Sequence, residues 1–520
     1  MGITTSIARL ILSYRVRAIK RYATQAEQIQ RRMLSKLVRE ARNTEWGREH
    51  GYSQIRNYED FAARVPIGDY ASHKPYILKM LDGSGDILWK GCIKRFATSS
   101  GTTSDVIKYI PVSKRGLKRC HLRGGRDVTA TYLDQNRSSR VGSGYSLVLS
   151  GTFQEELCKG KIKAGDISAI MAHAAPPLYR KLLHMVPSIK TADIKDVHRK
   201  YDAVSDQIIG CDLASFSGVP TWNILILEMA MKKAGAKTAE QLWPGMELFA
   251  HGGMALGPYK HKLETLFPSG KLKFIENYNA SEGFFGIQTD LKDPSMTLML
   301  DYEVFFEFIP MPQYGRSDAK AVPVWQVELG VDYDVIISTS SGLWRYDMGD
   351  VIRFTGVSPY RFQFVGRTHQ NINLWGEDLS VQQAEKAMAK ACEQCGASVR
   401  EFTVAPVFLE DNTSGGWHQW LVEFIQRPVS LEEFEHVLEN AVREEDHDYK
   451  NVQLNCEGTP LRVTQARPGL FYDWLETKGK LGGQHKVPRL SPGRKYIDEL
   501  LSLNSNTAVM GPNDVPMTAK

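Results

Sequence analysis

The sequence has no long hydrophobic run: no apolar stretch approaches the roughly 20 residues needed to cross a bilayer. It has no excess of either charge. Its 65 basic and 59 acidic residues leave a net charge of +6, too little over 520 residues to call for nucleic acid. No basic run is interleaved with aromatics, which points the same way. Cysteine is sparse and unpatterned. The seven are scattered and odd in number, as expected of a reducing compartment. Cys392 and Cys395 form a lone C-x-x-C inside a helical segment, without the second pair that zinc would need. No signal peptide is legible, because Leu10-Ile11-Leu12 is too short and Arg15, Arg17 and Lys20 follow it. Met1-Gly2 with Ser6 formally fits a myristoylation pattern, with nothing else in support of an anchor. These absences predict a cytoplasmic protein with no nucleic-acid and no membrane partner.

What is present is ordinary for a globular enzyme: 42% hydrophobic and 24% charged residues. The length exceeds what one core holds, so two or more domains are expected. Apolar β-type runs occur at Ser146–Ser150, Ile167–Met171, Glu247–Ala250, Lys273–Glu276, Val304–Ile309 and Val335–Ser338. Helical stretches separate many of them, one opening at Pro220-Thr221 and running toward Lys233. Thr24 and Glu27 read as a capping box ahead of Ile29, Met33, Leu37 and Ala41 at helical spacing. The alternation predicts an α/β fold with largely parallel or mixed sheets and flanking helices. From Arg367 the texture changes. Ser380 with Gln383 and Ser430 with Glu433 open two boxed helices around a strand at Trp420–Ile425. The expected division is 1–367, a smaller α+β unit at 368–504, and a polar, disordered tail at 505–520.

Four short segments carry candidate chemistry. Ser99-Ser100-Gly101-Thr102-Thr103-Ser104 precedes Val106–Ser113, which is β-branched, aromatic and proline-bearing. The loop therefore reads as a hairpin turn and not as a Walker loop entering a helix. Its hydroxyls and free N–H groups can grip a phosphate, and the same stretch also reads as a solvated Ser/Thr turn. Tyr278-Asn279-Ala280-Ser281-Glu282-Gly283 puts a carboxylate on a strand-end turn, suited to Mg2+ or simply to solvent. Gly342–Asp350 ends in Gly349-Asp350, an acid able to accept from ribose hydroxyls or an ordinary turn. Gly482-Gly483-Gln484-His485-Lys486 sets a lysine on a Gly-rich loop, where it can bridge two anions or sit at the surface.

In this order the segments resemble the adenylate-forming superfamily and, more closely, the auxin-responsive acyl acid–amido synthetase family, its bacterial branch in particular. The likeness rests on Ala97–Thr103, Ser217-Gly218-Val219-Pro220-Thr221-Trp222, His251-Gly252-Gly253 and Tyr278–Gly283. It continues in Trp344–Asp350, Phe364-Val365-Gly366-Arg367-Thr368 and Gln484–Arg489, over about residues 30 to 500. The resemblance implies a large adenylate-forming domain and a small mobile C-terminal one. It implies ATP and Mg2+, and a carboxylic acid activated as acyl-AMP, then passed to an amine, typically an amino acid. Carried over by motif, Ser99, Ser100, Gly101, Thr102, Thr103 and Ser104 would hold phosphate and Glu282 the metal. Gly252, Gly253, Tyr278, Asn279, Ala280 and Ser281 would line the adenine and α-phosphate region. Asp350 would bind ribose, with Arg367 helping at the sugar and domain junction. Lys486 would bridge the acyl carboxylate and the α-phosphate. An acyl-CoA ligase and an idle nucleotide-binding protein are the alternatives. Two departures stand out: Thr368-His369 follows Gly-Arg where the superfamily places Asp or Lys, and Asp105 follows the loop, with Lys108 nearby to compensate.

Overall fold

The structure is a computed structural model. It describes residues 3–506 apart from 101–106, 158–160, 176–179, 181–183, 254–255, 317, 369–371, 373–378, 409–415, 447–448, 450–460 and 482–485. The chain forms two compact units. Most of the first is Met1–Met254 and Leu263–Thr368; the second combines Ala255–Lys262 with His369–Leu481 and His485–Lys520.

The first unit is built on a mixed sheet of twelve strands among the described residues. Tyr145–Val148, Leu213–Gly218, Leu248–Gly252 and Lys273–Asn279 run parallel. Phe284–Ile287 then turns back antiparallel, and an antiparallel set follows through Tyr360–Arg367, Tyr346–Val357, Asp332–Thr339 and Val304–Pro310. The parallel strands are joined by helices such as Pro220–Ala234, whose proline sits in the first turn where its missing N–H costs nothing. Val304–Pro310 and Asp332–Thr339 are almost wholly buried, with Glu307 and Asp334 enclosed inside largely apolar runs. A separate four-stranded sheet holds the hairpin of Arg95–Ser100 and Ile107–Pro111, paired so that Ser100 faces Ile107. Ile107–Pro111 is an edge strand, the place where Pro111 does no harm.

In the second unit, Gly416–Gln426 lies between Ser398–Phe408, antiparallel, and Leu461–Gln465, parallel. Helices Val381–Gln394 and Leu431–Glu445 bury Met388, Phe434 and Leu438 in one core with Phe402, Trp420 and Val422. Ser380 and Gln383 form the reciprocal cap expected of them.

Three local readings are corrected. Ile167–Met171 is helical, within Ile167–Ala174, and the strand is Ile162–Gly165 just before it. A five-residue apolar run does not distinguish a buried helix from a buried strand, and the alanines here favour helix. Thr24 caps nothing. Helix Tyr22–Ala41 starts two residues earlier, one residue after Ile3–Lys20 ends, so the Arg21 carbonyl serves its first turn. Ser505 and Asn506, expected in the tail, close helix Lys495–Asn506; 507–520 lie outside the described residues.

Candidate active site

Register brings three of the sequence motifs side by side. Gly218 pairs with His251, His251 with Glu276 and Gly252 with Asn277. The segments Ser217–Trp222, His251–Gly253 and Tyr278–Gly283 thus leave the carboxyl ends of three adjacent parallel strands, where open α/β sheets bind ligands. The approach is close enough to demand glycine: a Cβ on Gly252 would stand 2.3 Å from the Asn277 carbonyl oxygen. Gly253 follows at φ 83°, a conformation other residues rarely adopt.

The antiparallel half supplies the acid. Asp350 pairs with Arg367 across adjacent strands and is 1% exposed. The Tyr278 hydroxyl donates to Asp350 Oδ2, tying the last parallel strand to the antiparallel set. Arg367 Nε lies 2.9 Å from Asp350 Oδ1. The carboxylate is therefore held on both oxygens, Oδ2 by Tyr278 and Oδ1 by Arg367. The Asp350 charge in turn raises the Arg367 guanidinium pKa.

Glu282 sits on the turn that the Ala280 N–H closes onto the Gly283 carbonyl at 2.8 Å. Burial pushes its carboxyl up and the Asp350 charge adds to that; its own backbone N–H, Arg367 and Lys108 pull it back. The metal, ribose and hairpin candidates are thus within electrostatic reach of one another. Ser99 and Ser100 end the first hairpin strand, while Gly101, Thr102, Thr103, Ser104 and Asp105 lie outside the described residues.

Sequence inspection passed over several neighbours. His121 ends a π-turn at Leu117–His121, and its Nδ1 lies 3.4 Å from Asn279 Oδ1. Burial lowers both His121 and His251 to about 4, so both are neutral at physiological pH. Beneath Asp350 lies a layer of acid. Asp347 accepts from the Gly349 N–H at 2.7 Å and from the Tyr314 hydroxyl at 3.3 Å. Asp334 is fully buried, and burial first, then Asp347 and Asp350, push its carboxyl up to about 9. A folded pKa above the unfolded value means stability that is present below about pH 4 and lost as pH rises through about 9. Asp334→Asn is therefore expected to gain melting temperature over the parent, more at about pH 9 than at about pH 5. Thermal melts across that range check it, and an equal shift at both ends would show that Asp334 titrates normally.

Lys486 belongs to the second unit. It is half-buried, and its charge acts on the buried Glu385. The segment after it is pinned: Thr403 Oγ1 donates to the Pro488 carbonyl at 2.6 Å and the Val404 N–H to that of Arg489 at 2.8 Å. The buried Arg489 side chain meets Glu385 at 3.1 Å, Glu401, and the Tyr259 hydroxyl at 2.6 Å. The candidates therefore divide: Gly252, Gly253, Tyr278, Asn279, Ala280, Ser281, Glu282, Asp350 and Arg367 stand in the first unit and Lys486 in the second.

Three family models match consecutive parts of this chain: the GH3 family N-terminal domain at residues 15–205, the central domain at 297–367 and the C-terminal domain at 382–495. The chain belongs to the GH3 family. The GH3 boundary between central and C-terminal matches brackets Thr368, where the first compact unit ends. Among GH3 relatives, the chain is 23% identical to the probable indole-3-acetic acid-amido synthetase GH3.1 of Arabidopsis thaliana, over 91% of this chain and 90% of that one. It is also 23% identical to the Arabidopsis thaliana 4-substituted benzoates-glutamate ligase GH3.12, over 93% and 96%. The fold is similar to that of the AtGH3.15 acyl acid amido synthetase in complex with 2,4-DB, with a TM-score of 0.77 at 19% identity, covering 94% of this chain and 95% of that one. It is less similar to 2-hydroxyisobutyryl-CoA ligase in the postadenylation state, with a TM-score of 0.54 at 14% identity, covering 95% and 93%.

Proposed function

We propose that this GH3 protein is an acyl acid–amido synthetase. A carboxylate oxygen attacks the α-phosphorus of ATP and the bond to pyrophosphate breaks. An amine, typically that of an amino acid, then attacks the acyl carbon, loses a proton and displaces AMP. The observation that carries the reading is Asp350, held by Tyr278 and Arg367 beside Glu282 at the ends of the parallel strands. Attack on a polyanionic nucleotide needs charge neutralisation more than acid–base chemistry, and this site is rich in fixed charge. Asp350 would accept from the ribose hydroxyls. Gly252 and Gly253 would let the adenylate approach the backbone, and the hairpin serines and threonines would take the phosphates.

Mg2+ fits the donor set. Among the described residues no cluster of three or more metal-ligating side chains forms a protein-only cage. A single carboxylate crowded by burial and a second acid suits an ion that takes its other ligands from phosphate and water. Glu282 would hold it, and the ion would supply positive charge to the departing pyrophosphate. The second unit, carrying Lys486, is proposed to change position between the two steps, because the lysine must leave before the amine can approach.

With ATP, Mg2+ and a panel of aryl, indolyl and fatty acids, hydroxylamine is expected to trap an acyl hydroxamate. Mass spectrometry should then find amides when the twenty amino acids replace hydroxylamine. Thioester from coenzyme A in place of amide would move the protein to the acyl-CoA ligases. No hydroxamate from any acid would leave an idle nucleotide-binding protein.

A further inference from the structure

Helix Ile3–Lys20 has two faces of different character. Its 18 residues include four basic ones and no acid. The inner face buries Thr5, Val16 and Ile19 together with Arg15, which pairs with Asp127 at 2.8 Å and Asp301 at 2.7 Å. Arg9 is also committed, donating to the Leu133, Asn136 and Arg137 carbonyls. The helix is thus fastened to the first unit along its inner side. The outer side is apolar and bare: Ile7 is 51% exposed, Leu10 76%, Ile11 59% and Tyr14 50%. Their spacing of i, i+3, i+4, i+7 makes them one stripe. Four of the eleven exposed large hydrophobics among the described residues lie on it, so this is a patch and not scatter. The stripe continues at the same spacing into Arg17 and Arg21, both exposed. It also precedes residue 15, where the match to the GH3 N-terminal domain begins, so family membership does not explain it.

We propose that this helix seats the protein on an anionic lipid surface, lying in the interface plane with the stripe turned into the acyl boundary. Charge complementarity selects the occupant. A second copy of the chain would cover the apolar residues but bring only more arginine, since the stripe carries no acid. The bordering carboxylates are already taken, Asp134 by Lys20 at 3.0 Å and Asp301 by Arg15. Anionic headgroups above an apolar layer satisfy Arg17, Arg21 and the stripe together. Among the described residues no helix is long and apolar enough to cross a membrane. The sequence expectation of no membrane partner rests on that same lack of a spanning run, which says nothing of a helix lying flat. The proposal stands apart from the reaction proposed above.

Sedimentation of the full chain with vesicles tests it, using phosphatidylcholine alone and phosphatidylcholine mixed with phosphatidylglycerol. The parent protein should pellet with the mixed vesicles, far less with phosphatidylcholine, and less again as salt is raised. Leu10→Gln combined with Ile11→Gln should lower the partition about tenfold or more, the scale of two lost apolar insertions. Arg17→Gln with Arg21→Gln should abolish the preference for the anionic lipid. Unchanged melting temperatures and hydroxamate yields would show that the variants still fold. Failure to pellet with either vesicle, or equal pelleting of the parent and the Leu10/Ile11 variant, would overturn the proposal. So would a dimer that the Leu10/Ile11 variant dissolves in the absence of any lipid binding, which would give the face to a second copy.

Discussion

Replacing Glu282 with glutamine is expected to lower ATP–pyrophosphate exchange by about 10²-fold or more, the scale of losing one preorganised electrostatic contact. Glutamine keeps the volume and the turn, so only the charge goes. That charge is costly to the folded protein, because burial and Asp350 both oppose it. Its own backbone N–H, Arg367 and Lys108 offset that cost only in part, and a cation taken up from solution is proposed to offset the rest. The same argument fixes the control: the variant should melt no lower than the parent, because a repulsion has been removed. Hydroxamate formation should fall with exchange, since both read the adenylation step. Exchange close to the parent level would take Glu282 out of the site, whatever the melting temperature.

Lys486→Ala should separate the two half-reactions. If the ammonium bridges the acyl carboxylate and the α-phosphate during attack, adenylation should fall by at least about 10²-fold. Amide formation from a preformed acyl-adenylate should survive far better, because that step needs the amine placed and deprotonated. Lys486→Arg should not rescue it, as a planar guanidinium cannot stand in for a compact ammonium on a flexible stem. The surroundings make the experiment clean. Lys486 is only half-buried, while the segment after it is held through Thr403, Val404 and Arg489 without the lysine. Equal loss in both half-reactions would contradict this division of labour.

What could be read from the chain and what could not have different physical origins. Pro220 and Ser380 announce their helices through local chemistry, and the structure places them as first-turn proline and reciprocal cap. Val304–Ile309 and Val335–Ser338 are strands buried on both faces, which selects largely apolar runs, whereas Lys273–Glu276 buries only Ile275. Ile167–Met171 shows the limit of that rule: it is just as apolar, but it is a helix packed on the small sheet. Among the candidates, Glu282, Asp350 and Lys486 stand out because glycines and turns surround them. Asp334 does not, since within Tyr333-Asp334-Val335 it looks like one polar interruption of a strand. Only the fold brings Asp347 and Asp350 above it. His121 and Tyr314 are silent for the same reason: their partners, Asn279 and Asp347, are distant in the chain.

The hydroxyl of Tyr278 and the carboxylate of Asp350 stand 72 residues apart in the chain and meet only when the strands carrying them share one sheet. Between Lys273–Asn279 and Tyr346–Val357 that sheet interposes Phe284–Ile287, Met296–Leu298 and Tyr360–Arg367. Every one of those pairings must be in register before the proposed ribose acceptor is assembled. A chain in which any of those three strands is unpaired would therefore lack the Tyr278–Asp350 contact.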